Sequence, residues 1–173
     1  MHETAQDLAR LQDLLDRSMA DAGPHLRDII TESRRIDAAG LADWLTGMRL
    51  LVLATATADG RPLAGPVDGV FYRGAFHFST GPDAVRLRHL RARPQVSATH
   101  LPGEERAVTV HGRAVELDLR AEAQAGLRQC LLDVYLPRMP DYETFVDSGP
   151  LYMRIDADKM FSFRLELVSG GAA

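Results

Sequence analysis

Residues 49–97, RLLVLATATADGRPLAGPVDGVFYRGAFHFSTGPDAVRLRHLRARPQVS, decide the fold: short apolar runs alternate with turn signals and lead into an arginine-bearing helical stretch. Residues 50–57 are rich in strand formers, and the run stops at Asp59-Gly60, a dipeptide that supplies the positive φ of a hairpin turn. A hairpin follows. Residues 61–72 form the return strand, in which Pro66 and Gly69 mark an edge or bulged segment where backbone can lie close to a ligand. Arg73-Gly74 turns the chain again, and residues 75–79 carry Phe76 and Phe78 to one face of a half-buried strand.

Thr80-Gly81-Pro82 comes next, with Gly free to turn sharply and Pro suited to the first position of a helix over about residues 83–92. The unpaired amides and positive dipole end of such a helix form an anion site, and Ser79 and Thr80 add hydroxyl donors beside it. At about 100° per residue, Ala84, Leu87 and Leu90 make the buried stripe, with Arg86 and Arg88 flanking it on opposite sides. One phosphate is therefore not easily reached by both. Arg86, one turn inside the helix, is the first choice as bidentate partner and Arg88 the second. Asp83 counts against the site, because a carboxylate in the first turn can itself occupy the dipole end. The same spacing also fits an ordinary capped helix with a solvated basic face.

Outward from this stretch, residues 3–48 read as helical, with Leu8, Leu11, Leu14 and Leu15 at three- and four-residue steps. Gly23-Pro24 breaks the first helix, and residues 37–45 form another short one. This extension is amphipathic but spans too few heptads for a free coiled coil, so it is expected to pack on the strands or on a second subunit. Strands are expected over 95–101 and 106–116, joined by the turn 102–105, and a helix over about 119–135. A proline-marked loop, 137–150, then leads to two closing strands, 151–156 and 160–168. The division is an N-terminal helical extension, 1–45, and a mainly β domain with helices, 46–170.

The string LATATADGRPLAGPVDGVFYRGAFHFSTGPDAVRLRHLRARPQVSATH resembles the core of the pyridoxamine 5′-phosphate oxidase-like superfamily, the FMN-binding split β-barrel proteins. DGRP after the first strand, the Pro-Val pair in the second, FSTG before the helix and the Arg-x-Arg-x-Leu-Arg-x-x-Pro run carry the likeness, which covers about residues 46–118 well and the C-terminal strands loosely. The resemblance implies an α+β split β-barrel that works as a homodimer, with FMN or the deazaflavin coenzyme F-420 at the subunit interface. By position, Ser79, Thr80 and Arg86 would hold the cofactor phosphate. Val67, Asp68 and Gly69 would lie along the ring system, while Arg61 follows the first turn, where an exposed arginine is the commoner outcome. The chain lacks the arginine- and tryptophan-containing ending that binds pyridoxamine phosphate, since it closes FSFRLELVSGGAA and its one Trp is Trp44. Phe161 and Phe163 are candidates for the missing aromatic, with core packing as their alternative job.

The implied activity is a flavin-dependent oxidoreductase passing hydride between flavin and an unidentified small molecule, with no catalytic acid or base assigned. A deazaflavin-dependent reductase and a non-catalytic flavin- or haem-binding protein are the alternatives. Arginine outnumbers lysine 19 to 1, a bias of high-GC genomes that keeps the deazaflavin alternative open.

With 173 residues the chain supports one core and a modest extension. It has no apolar run long enough to span a bilayer, and the polar start MHETAQDLAR is unlike a signal peptide, so no membrane association and a cytoplasmic location are expected. A formal charge of −4 argues against broad nucleic-acid binding. Cys130, the one cysteine, reads as a buried, inert thiol. His77, His100 and His111 lack ligand spacing, so no metal is expected, although His100 and His111 could approach one region across the 95–116 hairpin. Tyr135, Tyr142 and Tyr152 fall where a C-terminal segment could roof a pocket.

Overall fold

Thr4 and Asp7 start the first helix by capping each other: the Asp7 amide donates to Thr4 Oγ1 at 3.2 Å and the Thr4 amide to Asp7 Oδ2 at 2.9 Å. Helix α1 (Ala5–Ala20) buries Leu11, Leu15 and Met19 along one face, and Pro24 opens α2 (Pro24–Ile29) after the break at Gly23. Asp37 caps α3 (Ala38–Trp44) through the Gly40 amide. Leu11 and Leu15 join the same core as the strands, so the extension is docked. Two buried serines pin it. Ser18 Oγ donates to Leu14 O at 2.7 Å and accepts from the Met160 amide at 2.9 Å, while Ser162 Oγ donates to Ile36 O at 2.7 Å and accepts from the Ile36 amide at 3.1 Å.

The computed structural model describes residues 2–165. Strands β1 (Met48–Ala56), β2 (Pro62–Tyr72) and β3 (Ala75–Thr80) form an antiparallel meander turned by Gly60 at φ 84° and by Arg73 and Gly74 at φ 50° and 79°. β2 pairs with β1 from Met48↔Val70 to Ala56↔Pro62 with no shift in register, so Pro66 creates no bulge. It sits instead on an edge. β3 reaches only from Gly69 to Tyr72, which leaves the Pro62–Asp68 half of β2 with a sheet neighbour on one side alone.

Helix α4 (Val85–Ala92) starts later than its sequence suggests, with extended Ala84 as its cap. The Ala84 amide donates to Gly81 O at 3.1 Å, closing a turn that takes up Pro82 and Asp83. Leu87 and Leu90 are buried as the stripe requires, and both belong to the barrel core. Strands β4 (Gln95–His100) and β5 (Arg106–Leu117) follow, and β4 closes on β1 through Val52↔Thr99 to Ala54↔Ser97.

The expected helix over 119–135 is a short 3₁₀ turn, Glu122–Gln124, and then α5 (Ala125–Tyr135), because the chain first turns at Asp118, whose backbone and side-chain oxygens accept from the Ala121 and Arg120 amides. The proline-marked loop holds a further helix, α6 (Tyr142–Asp147), anchored by buried Tyr142 and Val146. The two expected closing strands are one, β6 (Leu151–Arg164), lying between β3 and β5. Between them is only a bulge. His111 pairs with Lys159 and Gly112 with Ala157, so Asp158 is the extra residue. A Cβ on Gly112 would lie 2.1 Å from Asp156 O, so only glycine allows the strands to approach there. Residues 166–170, assigned from sequence to the end of the last strand and its domain, lie outside the described residues.

The strand order β1-β2-β3-β6-β5-β4 is a closed barrel, α+β overall with its helices outside. Leu51, Leu53, Phe76, Phe78, Val108, Val110, Ile155 and Met160 fill it, each at 2% exposure or less. Each such burial contributes roughly 1.5–3 kcal/mol, so this interior is the main support of the site at its rim.

Candidate functional site

The unpaired half of β2 does not face open solvent everywhere. Between it, the end of β3, the turn before α4 and residues 145–150 lies a cleft of about 530 Å³. Pro66, Val67 and Asp68 form one wall, Ser79 and Thr80 the back, and Arg86 reaches across from α4. The Arg86 Nη2 donates to Pro66 O at 3.2 Å, a bond that tethers the guanidinium to β2. No carboxylate pairs with it among the described residues, and partial burial holds its pKa below the usual arginine range. Thr80, only 6% exposed, has a buried Oγ1 with no hydrogen-bond partner. An unsatisfied buried hydroxyl costs about 1–3 kcal/mol, so a ligand oxygen in this cleft would recover energy that the fold leaves unclaimed. A desolvated cation, an orphaned hydroxyl and the open amides at the start of α4, beside Ala84 in the cleft wall, together suit an anion.

A smaller pocket of about 160 Å³ adjoins the cleft and shares Asp68, Ser79 and Phe145 with it. Its lid comes from α5 and α6: the rings of Tyr135 and Tyr142 stack with centroids 4.6 Å apart, and the hydroxyls of Tyr142 and Tyr152 lie 3.1 Å apart. Burial raises all three phenols above their ordinary pKa, so they stay neutral at physiological pH. His77 lines the same pocket, and burial lowers its pKa to about 4. Its Nδ1 donates to Ala75 O at 3.1 Å, which leaves Nε2 as the unprotonated nitrogen of the neutral ring.

Of the residues singled out from sequence, Val67, Asp68, Ser79, Thr80 and Arg86 come together at the cleft. Gly69 lies one step deeper in the tyrosine pocket, where a Cβ would come 2.7 Å from Leu51 Cδ1. Arg88 is exposed and takes no part in either cavity, and Arg61 is held at the hairpin tip by Asp59 at 2.8 Å. Asp83 is exposed in the turn and does not line the cleft. Phe161 and Phe163 pack against Met19, Ala22 and Ile30 under the N-terminal helices, which is the core role.

The two hairpin histidines do not meet. His111 pairs across from Ser97 on the outer face, with Nδ1 2.8 Å from Ser97 Oγ, whereas His100 is buried, donating from Nδ1 to Leu50 O at 2.9 Å, its ring tilted against Trp44 with centroids 5.2 Å apart. They sit three residues out of register on opposite faces of the hairpin. Cys130 is buried in α5, and burial pushes its thiol up to about 11, far from a reactive thiolate. Among the described residues no group of three or more His, Cys, Asp or Glu gathers, and no helix is long and apolar enough to cross a membrane. Phe145, Ser148, Gly149 and Pro150 also line the cleft, unseen from sequence because their only local signal is the Gly-Pro turn.

The family model for pyridoxamine 5′-phosphate oxidase matches residues 39–147, while no curated protein matches in sequence. Among solved structures, a conserved hypothetical protein from Mycobacterium tuberculosis is 21% identical with a TM-score of 0.64, over 83% of this chain and 97% of that one. An FAD-binding protein from Mesorhizobium loti is 22% identical with a TM-score of 0.57, over 73% and 92% of the two chains. HutZ, a haem storage protein from Vibrio cholerae, is 18% identical with a TM-score of 0.56, over 72% and 92%. At these identities the likeness is one of fold. The matched stretch runs from α3 to the end of α6 and contains every cleft residue before Ser148, and on that match the chain belongs to the pyridoxamine 5′-phosphate oxidase family.

Proposed function

We propose that this protein binds FMN, with the cofactor phosphate held by Ser79, Thr80 and Arg86, and serves as an oxidoreductase toward a small molecule. The observation that carries the reading is the buried, partnerless Thr80 Oγ1 beside an arginine that has no carboxylate of its own. Bound flavin would supply hydride transfer. The chain supplies position. Arg86 would give paired N–H donors to the phosphate, Ser79 and Thr80 would donate hydroxyl hydrogens, and the backbone of Val67, Asp68 and Gly69, unpaired on one side up to Asp68, would offer amides and carbonyls to the polar edge of the ring. Arg61 at the hairpin tip and Arg88 on the exposed side of α4 lie away from this cleft and are not assigned to the phosphate here.

The FAD-binding relative from Mesorhizobium loti favours a flavin for this cleft, whereas the haem storage relative finds less support here. No histidine lines the cleft. The site is expected to be shared by a homodimer. Leu50 and Val52 of β1 and Leu101 after β4 are 55%, 53% and 62% exposed on neighbouring strands, an apolar face for a second copy.

Fluorescence titration tests the assignment. Arg86→Ala should weaken FMN by about 2–4 kcal/mol, the scale of a lost charge-assisted phosphate contact. Unchanged affinity would remove Arg86 and, with it, the proposed phosphate site. Titrating the deazaflavin coenzyme in parallel decides between the two ring systems.

A further inference from the structure

The N-terminal segment and the barrel leave a space where they meet. Between α1, a 3₁₀ turn at Glu32–Arg34 and β6 lies a cavity of about 240 Å³. Leu15, Met19, Ile36 and Met160, each at 8% exposure or less, make its apolar lining. Most of its polar groups are satisfied within the fold. Ser162 is bonded twice to Ile36, Gln12 accepts from the Ala38 amide at 2.9 Å and donates to Asp16 at 3.0 Å, and Asp37 caps α3. Two opposite charges are left over, Glu32 and Arg35. Neither side chain makes a hydrogen bond or an ion pair among the described residues, and Arg35 Nε is buried with no acceptor. The Arg35 amide closes the turn on Glu32 O at 3.2 Å, and residues three apart on such a turn lie one above the other. The two are placed to pair, yet each lines the cavity unpaired.

We propose that this cavity binds an α-amino acid with an aliphatic side chain. A zwitterion answers both charges at once: its carboxylate accepts from Arg35 Nε, and its ammonium donates to the Glu32 carboxylate. Both ligand groups leave from one carbon, which suits two residues stacked on one turn. The side chain then covers Leu15, Met19, Ile36 and Met160. A dry cavity of roughly 150 Å³ holds benzene, and the larger volume here admits a branched aliphatic chain together with its charged head. Ligands with a single charge do worse. An acid would bring its anion to a lining that already holds Asp16, Glu32 and Asp37, and an amine would leave Arg35 Nε without an acceptor. None of these residues borders the cleft, so the proposal stands apart from the flavin reading and needs no bound cofactor.

Calorimetric titration of the full chain with leucine, isocaproate and isoamylamine tests this, because the two analogues keep the leucine side chain and each lacks one charged group. Leucine should bind about tenfold or more tighter than either analogue. Arg35→Gln should bring leucine down to the level of the amine, and Glu32→Gln to that of the acid. Circular dichroism verifies that both variants fold, and the analogue series on the wild type requires no variant. Since the ligand would bridge the N-terminal segment and β6, leucine should also raise the thermal midpoint of the wild type. No binding of leucine, equal binding of the three compounds, or leucine affinity untouched by both substitutions would overturn the proposal.

Discussion

Two buried hydroxyls at almost equal depth behave in opposite ways. Ser162, 5% exposed where the N-terminal segment meets β6, makes two hydrogen bonds to Ile36, whereas Thr80, 6% exposed at the end of β3, makes none. The first belongs to a seam that the fold completes by itself. The second belongs to a cleft that also holds an arginine without a carboxylate, and the contrast separates polar groups placed for stability from those placed for a ligand. Burial alone would not have told them apart.

The largest expected effect on stability probes a third buried polar group. His77 has its pKa lowered to about 4 by burial, so between about pH 6.5 and 4 the unfolded chain takes up a proton that the native state refuses. The neutral ring's contribution is complete above about pH 6.5 and is lost as the pH falls toward 4. Urea unfolding should therefore show a loss of about 2 kcal/mol from this group between pH 7.5 and 5. His77→Gln should flatten that part of the profile, and an unchanged slope would show that His77 is solvated.

Next in size is Ser162→Ala, which strands the Ile36 amide and carbonyl and should cost about 2 kcal/mol by the same unfolding measurement. The matching change at the cleft sharpens the comparison. Thr80→Val keeps the shape and removes a hydroxyl that bonds nothing, so stability without ligand should move by less than about 0.5 kcal/mol or rise. FMN affinity should nevertheless fall by about 1 kcal/mol. A Thr80→Val variant as unstable as Ser162→Ala would mean that the two hydroxyls are alike and the cleft is ordinary core.

Much of this architecture was legible from short-range chemistry. Gly60 after Asp59 and the Arg73-Gly74 pair took the positive φ that hairpin turns require, and the Leu87 and Leu90 stripe faced the core at helical spacing. Long-range pairing was hidden. β6 continues through Asp158 because β5 and Gly112 allow a bulge there, and nothing local to 151–164 separates a bulge from a strand end. Helix α6 was masked by the prolines around it, although Tyr142 and Val146, four apart, are its buried face. Pro82 looked like a helix start because it favours that position, yet the Gly81–Ala84 turn claimed it first. Helical angle showed that Arg86 and Arg88 lie on opposite sides of α4, while the orphaned state of Thr80 and the tyrosine lid depend on β3 meeting α5 and α6, which no window of sequence reports.

Recognition of a phosphate by the cleft through Arg86, as proposed, is open to a double-mutant cycle with the cofactor. FMN and riboflavin differ by that phosphate alone, and each is titrated against the wild-type chain and Arg86→Ala, with Arg88→Ala as the exposed-arginine control. FMN should bind the wild type about a hundredfold tighter than riboflavin, Arg86→Ala should remove most of this gap while leaving riboflavin nearly unchanged, and Arg88→Ala should preserve it. Equal affinities of FMN and riboflavin for the wild type, or a gap that survives Arg86→Ala, would contradict phosphate recognition through Arg86.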